Sequence, residues 1–212
     1  MGLKKGCLIT FEGIEASGKS TQVINLFNFL KKKKIKCIKT REPGGTPIAE
    51  KIRKIIIKDL KNNEDNLTEL LLLFSARSNH FKKIKKYIDR GYVVLCDRYI
   101  DSTYAYQHYE QKQSLDFINY IQKKIDSNLK PKITFFIDVS VKNSKKRLNL
   151  RSKTKDRFDK YSEKKLIKLR NSFLKLSKKH KRINVVNGNC SKEEVFKQLI
   201  YFLRKKNVIK NI

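Results

Sequence analysis

The sequence predicts an α/β fold, a parallel sheet of about five strands covered by helices on both faces. Two observations carry this. Short β-branched and apolar runs alternate along the 212 residues with longer stretches whose apolar positions recur at helical spacing. Between the first such run and the first such helix stands GIEASGKS, Gly13 to Ser20, which fits the pattern G-x-x-x-x-G-K-[ST].

The elements follow in order. CLITFE is a strand bounded by Gly6 and Gly13, and the helix over 20–33 carries Val23, Ile24, Phe27 and Leu30 on one face. KCIKT (36–40) is a second strand and leads into REPGGT. Residues 47–58 and 66–88 read as helices, the second broken or bent along its length. YVVLCD (92–97) is an apolar strand ending in an acid, residues 113–127 form a helix, and KITFFIDV (132–139) is another buried strand. Helices over 141–150 and 160–180 precede the short strand INVVN (183–187). Ser191, Lys192, Glu193 and Glu194 spell a capping box that opens a last helix running to about residue 205. Neither a repeat nor a low-complexity linker interrupts this order, so residues 1–212 read as a single domain.

Composition narrows the class. A hydrophobic content of 39% suffices for one core, and no run approaches the roughly 18 apolar residues of a membrane helix. MGLKKGCLITFEG enters the first strand almost at once and does not read as a signal peptide. Cys7, Cys37, Cys96 and Cys190 show no metal spacing; the first three lie in apolar runs, and all four read as free thiols of a cytoplasmic protein. The 51 Lys and Arg against 20 Asp and Glu give a formal charge of +31, the footprint of a nucleic-acid binder. The excess is mostly Lys, spread over every segment beside much Ile and Asn, residues that share A/T-rich codons. It therefore reads as compositional drift, with nonspecific attraction to polyanions as a by-product.

In such a fold ligands sit outside the carboxyl ends of the strands, and the polar signals fall there: GIEASGKS, REPGGT, DRY and a basic stretch beyond FFIDV. GIEASGKS implies a P-loop NTPase fold and a nucleotide. The phosphate-binding set is Gly13, Ile14, Glu15, Ala16, Ser17, Gly18, Lys19, Ser20 and Thr21, whose backbone N–H groups turn inward at the start of a helix. Lys19 can reach the β- and γ-phosphates, and the Ser20 hydroxyl with the Asp97 carboxylate can serve Mg²⁺, directly or through water. Arg98 would face the transferring or acceptor phosphate, where a planar fork suits bidentate binding. Pro43-Gly44-Gly45 makes a tight turn that admits a ligand to the backbone, or is a plain turn. The hydroxyls, aromatics and amide of 101–107 suit a nucleobase or sugar, although a helix turning Tyr104 into the core would look alike. Arg147, Arg151, Lys153, Lys155 and Arg157 could form a basic lid over about 147–158 that closes on a nucleotide and excludes water.

Taken together, FEGIEASGKST, TREPGGT, DRYIDST-YAYQ and the R-x-x-x-R stretch, in this order, resemble the thymidylate kinase (dTMP kinase) family from about residue 7 to 160. The resemblance implies ATP and dTMP as substrates, Mg²⁺ as cofactor, a homodimer, and catalysis by Lys19, Arg98, Arg151 and Asp97. It places Glu15 at the sugar 3′-hydroxyl, Arg53 and Arg98 at the dTMP phosphate, Arg77, Thr103 and Gln107 at the base, and Tyr106 where a ribose 2′-hydroxyl would be. The phosphate loop contains no Arg, which resembles the bacterial type with a lid arginine, here Arg151. The family's thymine-stacking Phe stands four residues before the base-reading Arg. Here that position is Leu73 and the aromatic is Phe74, so either could pack on thymine. Other readings are a related nucleoside or nucleoside monophosphate kinase, and a basic P-loop protein that binds nucleic acid.

Overall fold

The computed structural model describes residues 6–60, 66–126, 129–150 and 156–209. Five strands, β1 (Cys7–Glu12), β2 (Cys37–Arg41), β3 (Val93–Asp97), β4 (Ile133–Asp138) and β5 (Ile183–Asn187), form one sheet in the order β2-β3-β1-β4-β5. Every pairing is parallel. The register sets Phe11 beside Asp97 and Asp97 beside Arg41, so the carboxyl ends of these three strands finish level. From β1 the chain crosses to one side of the sheet and from β3 to the other, which opens a crevice above both.

Helices cover both faces, as expected from the alternation. On one face α1 (Lys19–Lys32) and α8 (Lys192–Lys205) bury Leu26, Leu30, Val195 and Leu199 against Ile9, Phe11, Phe135 and Val186. On the other, α3 (Asn66–Asp89) and α5 (Leu115–Asp126) bury Leu70, Phe74, Ile84 and Ile118 against Leu8, Val94 and Cys96. Further along that face α7 (Glu163–Lys179) packs Leu169 and Phe173 on Phe136. The period-2 alternation of β1 sends Ile9 and Phe11 to the first face, and Leu8, Thr10 and Glu12 to the second. The strand therefore delivers a buried carboxylate to the edge of the crevice.

Element boundaries agree with the sequence to within a few residues, with instructive exceptions. The helix expected to break within 66–88 runs unbroken as α3, because buried Leu70, Phe74, Arg77, Ile84 and Ile88 keep one stripe throughout. The helix expected over 47–58 is α2 (Pro47–Lys54), capped by the Thr46 side chain, and then widens into a π-helical turn over Ile55–Asp59. Residues 100–110, not assigned from sequence, form α4 (Ile100–Thr103) and a π-helical segment, Tyr104–Glu110. There Ala105, Tyr106 and Gln107 are buried in succession, a pattern with no 3.6-residue stripe to detect. The chain is completed by α6 (Val141–Asn149), and the predicted capping box of Ser191 and Glu194 is formed. Cys37 and Cys96 are buried, Cys7 and Cys190 half-buried, and all are free. Among the described residues no helix is long and apolar enough to cross a membrane.

Candidate active site

The loop after β1 has the geometry its spelling predicts. Gly18 adopts φ +100° as the N-cap of α1, and Ala16 also takes a positive φ of 51°. Ile14 anchors the loop by burying its side chain in the core with Tyr106 and Phe136. Lys19 folds back over the loop and donates to Gly13 O (3.0 Å), Ile14 O (2.7 Å) and Ser17 Oγ (3.3 Å). Burial and the neighbouring Arg98 charge lower its pKa to about 8. One residue on, exposed Ser20 donates its hydroxyl to Asp97 Oδ2 at 2.5 Å. Two oxygen donors converging from a loop and a strand end make a set that suits a hard divalent cation such as Mg²⁺. Thr21 lies exposed beyond them.

Arg98 follows Asp97 in the left-handed region, φ 67°, which is uncommon for a residue with a side chain. Its backbone N–H is held by Phe11 O at 2.9 Å, and its guanidinium donates to Ser102 Oγ (3.1 Å) and Glu15 Oε1 (3.0 Å) while lying over the Tyr106 ring. Burial would lower the Arg98 pKa, but Tyr106, Glu15, Glu12 and Asp97 outweigh it and the pKa rises. Tyr106 Oη donates to the same Glu15 Oε1 at 2.7 Å. The other oxygen, Glu15 Oε2, is buried and has no hydrogen-bond partner among the described residues.

These groups line a cavity of about 230 Å³. One wall carries Lys19, Arg41, Arg53 and Arg98, and the Arg53 guanidinium donates to Pro43 O at 3.0 Å. Burial, and then the charges of Arg41 and Arg98, lower the Arg53 pKa. Cations that disfavour one another in this way make a wall suited to an anion. Leu73, Arg77, Thr103, Gln107, Asp156 and Phe158 also line the cavity, and so does Tyr106, whose ring lies against Arg98.

Glu15, Ala16, Lys19, Ser20, Arg53, Arg77, Asp97, Arg98, Thr103, Tyr106 and Gln107 thus line one cavity. Phe74 is the exception. It is 3% exposed in the core beneath the Arg77 guanidinium, and Leu73 is the residue of the pair on the cavity wall. The one-residue offset turns Phe74 inward on α3. Gly13, Ile14, Ser17 and Gly18 shape the loop from behind. Arg151, Lys153 and Lys155 lie outside the described residues, whereas Arg147 donates to Gly188 O at 2.8 Å and Arg157 pairs with Glu69.

Sequence reasoning missed the buried carboxylates that organise this wall. Glu12 accepts from Tyr99 N (2.8 Å) and Ser102 Oγ (2.6 Å), and burial together with nearby Asp101 raises its pKa to about 8. Glu69 accepts from Gln107 (2.8 Å) and Gln111 (3.1 Å) besides its pairing with Arg157. Glu42 pairs with Arg77 and His80. The one available signal was an acid closing an apolar strand directly before the first loop glycine, as Glu12 does.

Comparison with known proteins shows the family. A family model described as thymidylate kinase matches residues 11–199. A thymidylate kinase of Sulfurihydrogenibium sp. is 43% identical over 206 residues, covering 96% of this chain and 100% of that one. One from Mesoplasma florum is 37% identical over 192 residues, covering 90% and 91%. The crystal structure of thymidylate kinase from Ehrlichia chaffeensis superposes with a TM-score of 0.73 at 30% identity, over 94% of this chain and 99% of that one. With the family model spanning nearly the whole chain, and relatives at this identity matched over almost their full length, the chain belongs to the thymidylate kinase family.

Proposed function

We propose that the cavity above β1 and β3 is where this chain transfers a phosphoryl group from ATP to dTMP, giving dTDP and ADP. The activity follows from membership of the family. The observation that supports the assignment of the site is that Lys19, Arg53 and Arg98 line one cavity together with Leu73, Arg77, Thr103 and Gln107. An anionic head and a flat, hydrogen-bonding ring fit such a cavity.

In this reading the backbone of residues 13–21 cradles the ATP phosphates and Lys19 neutralises the oxygens that gain charge. Arg98 and Arg53 hold the dTMP phosphate in line. The acceptor is already ionised, so no strong general base is needed; catalysis is positioning plus charge stabilisation. Glu15, with its unpartnered Oε2, takes the sugar 3′-hydroxyl. Arg77, Thr103 and Gln107 read the base, Leu73 packs against it, and Tyr106 occupies the space of a 2′-hydroxyl. Ser20 and Asp97 would hold Mg²⁺, which when bound neutralises phosphate charge. The whole chain acts as one domain in the cytoplasm, with phosphate loop 13–20 and a lid over about 147–158 that brings Arg151 to the transferring phosphoryl group. Arg157, held by Glu69, is the lid residue that ties it to α3.

The same reading includes a homodimer. Ile48 and Ile55, seven apart from α2 into its π-helical turn, and Leu67 and Leu71, four apart on α3, are 40–55% exposed on neighbouring elements. A second copy would cover them, and sedimentation velocity at micromolar concentration tests it. The basic surface adds at most nonspecific attraction to nucleic acid.

ADP formation with ATP and Mg²⁺, comparing dTMP, dUMP, UMP, dCMP and dGMP, tests the activity. Turnover is expected to be strongest with dTMP. ATP binding without turnover of any acceptor would overturn the assignment.

A further inference from the structure

Arg77 is held by three hydrogen bonds and two aromatic rings. Its Nε donates to Glu42 Oε2 at 2.7 Å, Nη1 to Gln122 Oε1 at 3.1 Å and Nη2 to Thr103 Oγ1 at 3.0 Å. The rings of Phe74 and Tyr99 each lie 5.3 Å from its guanidinium carbon. A guanidinium carries five N–H groups. Three are engaged among the described residues, so two remain for a ligand in the cavity that Arg77 lines.

Of these partners Glu42 is the ionised one, and it is itself immobilised. Its Oε1 accepts from His80 Nδ1 at 3.1 Å, so each carboxylate oxygen has its own donor. The far nitrogen of His80 pairs with the Thr40 hydroxyl at 2.7 Å, and the His80 ring is fully buried. Gly45 closes over that ring so tightly that a Cβ there would lie 2.4 Å from His80 Nε2. The REPGGT turn thus leads through Gly45 and Thr40 to His80, to Glu42, to Arg77. A charge-assisted bond along the Nε edge sets the plane of the guanidinium, which neutral partners at the Nη atoms only limit.

We infer that Glu42, braced by His80, is a positioning residue for base specificity: it holds the plane of Arg77 so that its two remaining donors face the base. The inference rests on the assignment of this cavity to dTMP. Fixed donors favour a ring carbonyl such as thymine O4 and reject an exocyclic amino group such as cytosine N4. An Arg77 free to tilt loses that distinction while transfer at the other end of the cavity continues.

The test measures kcat and KM for dTMP and dCMP in the wild type, Glu42→Gln, Glu42→Asp, Arg77→Met and the Glu42→Gln/Arg77→Met double variant, with thermal unfolding as a control. Glu42→Gln is expected to raise the dTMP KM about tenfold, cut the dTMP-over-dCMP preference in kcat/KM about tenfold, and hold kcat within about threefold. Glu42→Asp, which keeps the charge on a shorter stem, should fall between. In the Arg77→Met background, Glu42→Gln should change the preference by less than about twofold, because its effect passes through Arg77. If Glu42→Gln fails to fold, a lowered preference in Glu42→Asp supports the inference in its place. An unchanged preference in the folded Glu42 variant, or an equal loss with and without Arg77, overturns the inference. A wild type indifferent to the base, or an Arg77→Met variant with full preference, removes the base-site assignment and this inference with it. Preference lost in Arg77→Met but kept in Glu42→Gln removes this inference alone.

Discussion

The two ends of the cavity are built by different means. At the proposed phosphate end the frame is one continuous loop whose own carbonyls hold Lys19, to which Arg53 and Arg98 add charge. At the proposed base end the groups are side chains of α3, α4 and the Tyr104–Glu110 segment, held by one another and by side chains of the turn after β2 and of α5. A backbone-built site depends on local conformation and tolerates variation nearby. A side-chain-built site depends on tertiary packing, so a change at one contact propagates to the next.

The largest expected effect lies at the first end. Lys19→Ala should lower kcat by about a thousandfold, the scale of losing a preorganised charge-stabilising donor, while the dTMP KM changes by less than about fivefold. Steady-state ADP release measures it, and near-normal kcat would break the assignment of the loop.

Two glycines set the ends against each other directly. At Gly18, φ +100°, an added Cβ would meet nothing within 4 Å, whereas at Gly45, φ +85°, it would lie 2.4 Å from His80 and 2.5 Å from Thr40. Gly18→Ala should therefore cost about 1–2 kcal/mol from backbone strain alone. Gly45→Ala should cost about 2–4 kcal/mol, strain plus displacement of a buried ring, and should also raise the dTMP KM. Urea unfolding of both variants orders them, and equal losses would erase the contrast.

Glu12 joins the two ends, closing β1 and holding Ser102, which accepts from Arg98. Its folded pKa is raised to about 8 from 4.5, chiefly by burial. Between those values the native state keeps a proton that the unfolded chain releases. The resulting stability is complete below about pH 4.5 and is lost as pH rises through about 8. The stability difference between wild type and Glu12→Gln, which cannot ionise, should shift against the wild type across that window. A difference independent of pH would show that Glu12 titrates normally.

The smallest effect is expected for Arg41→Ala. Its ion pair with Glu50 is 2.7 Å long but the partners are 53% and 35% exposed, so removal should change stability by about 0.5 kcal/mol or less, measured by the same urea unfolding.

The asymmetry between the two ends also explains what could be read in advance. The phosphate loop was legible because glycine, lysine and hydroxyl at fixed spacing encode one local shape between a strand and a helix. The parallel five-stranded sheet was legible from alternating periodicities. The choice between Leu73 and Phe74 stayed open because a single residue of offset on α3 decides between cavity and core, and composition cannot tell which side is which. The segment 104–110 escaped assignment because π-helical winding leaves no helical stripe. Glu42 and His80 were invisible as a pair, being 38 residues apart and joined only when α3 docks on the turn after β2. The sequence by itself determined the sheet, the phosphate loop and the set of chemical groups, since these depend on local conformation and the burial of periodic apolar faces. Only the tertiary structure decided which carboxylate holds which arginine, because a buried charge takes its partner from whatever element packing brings against it.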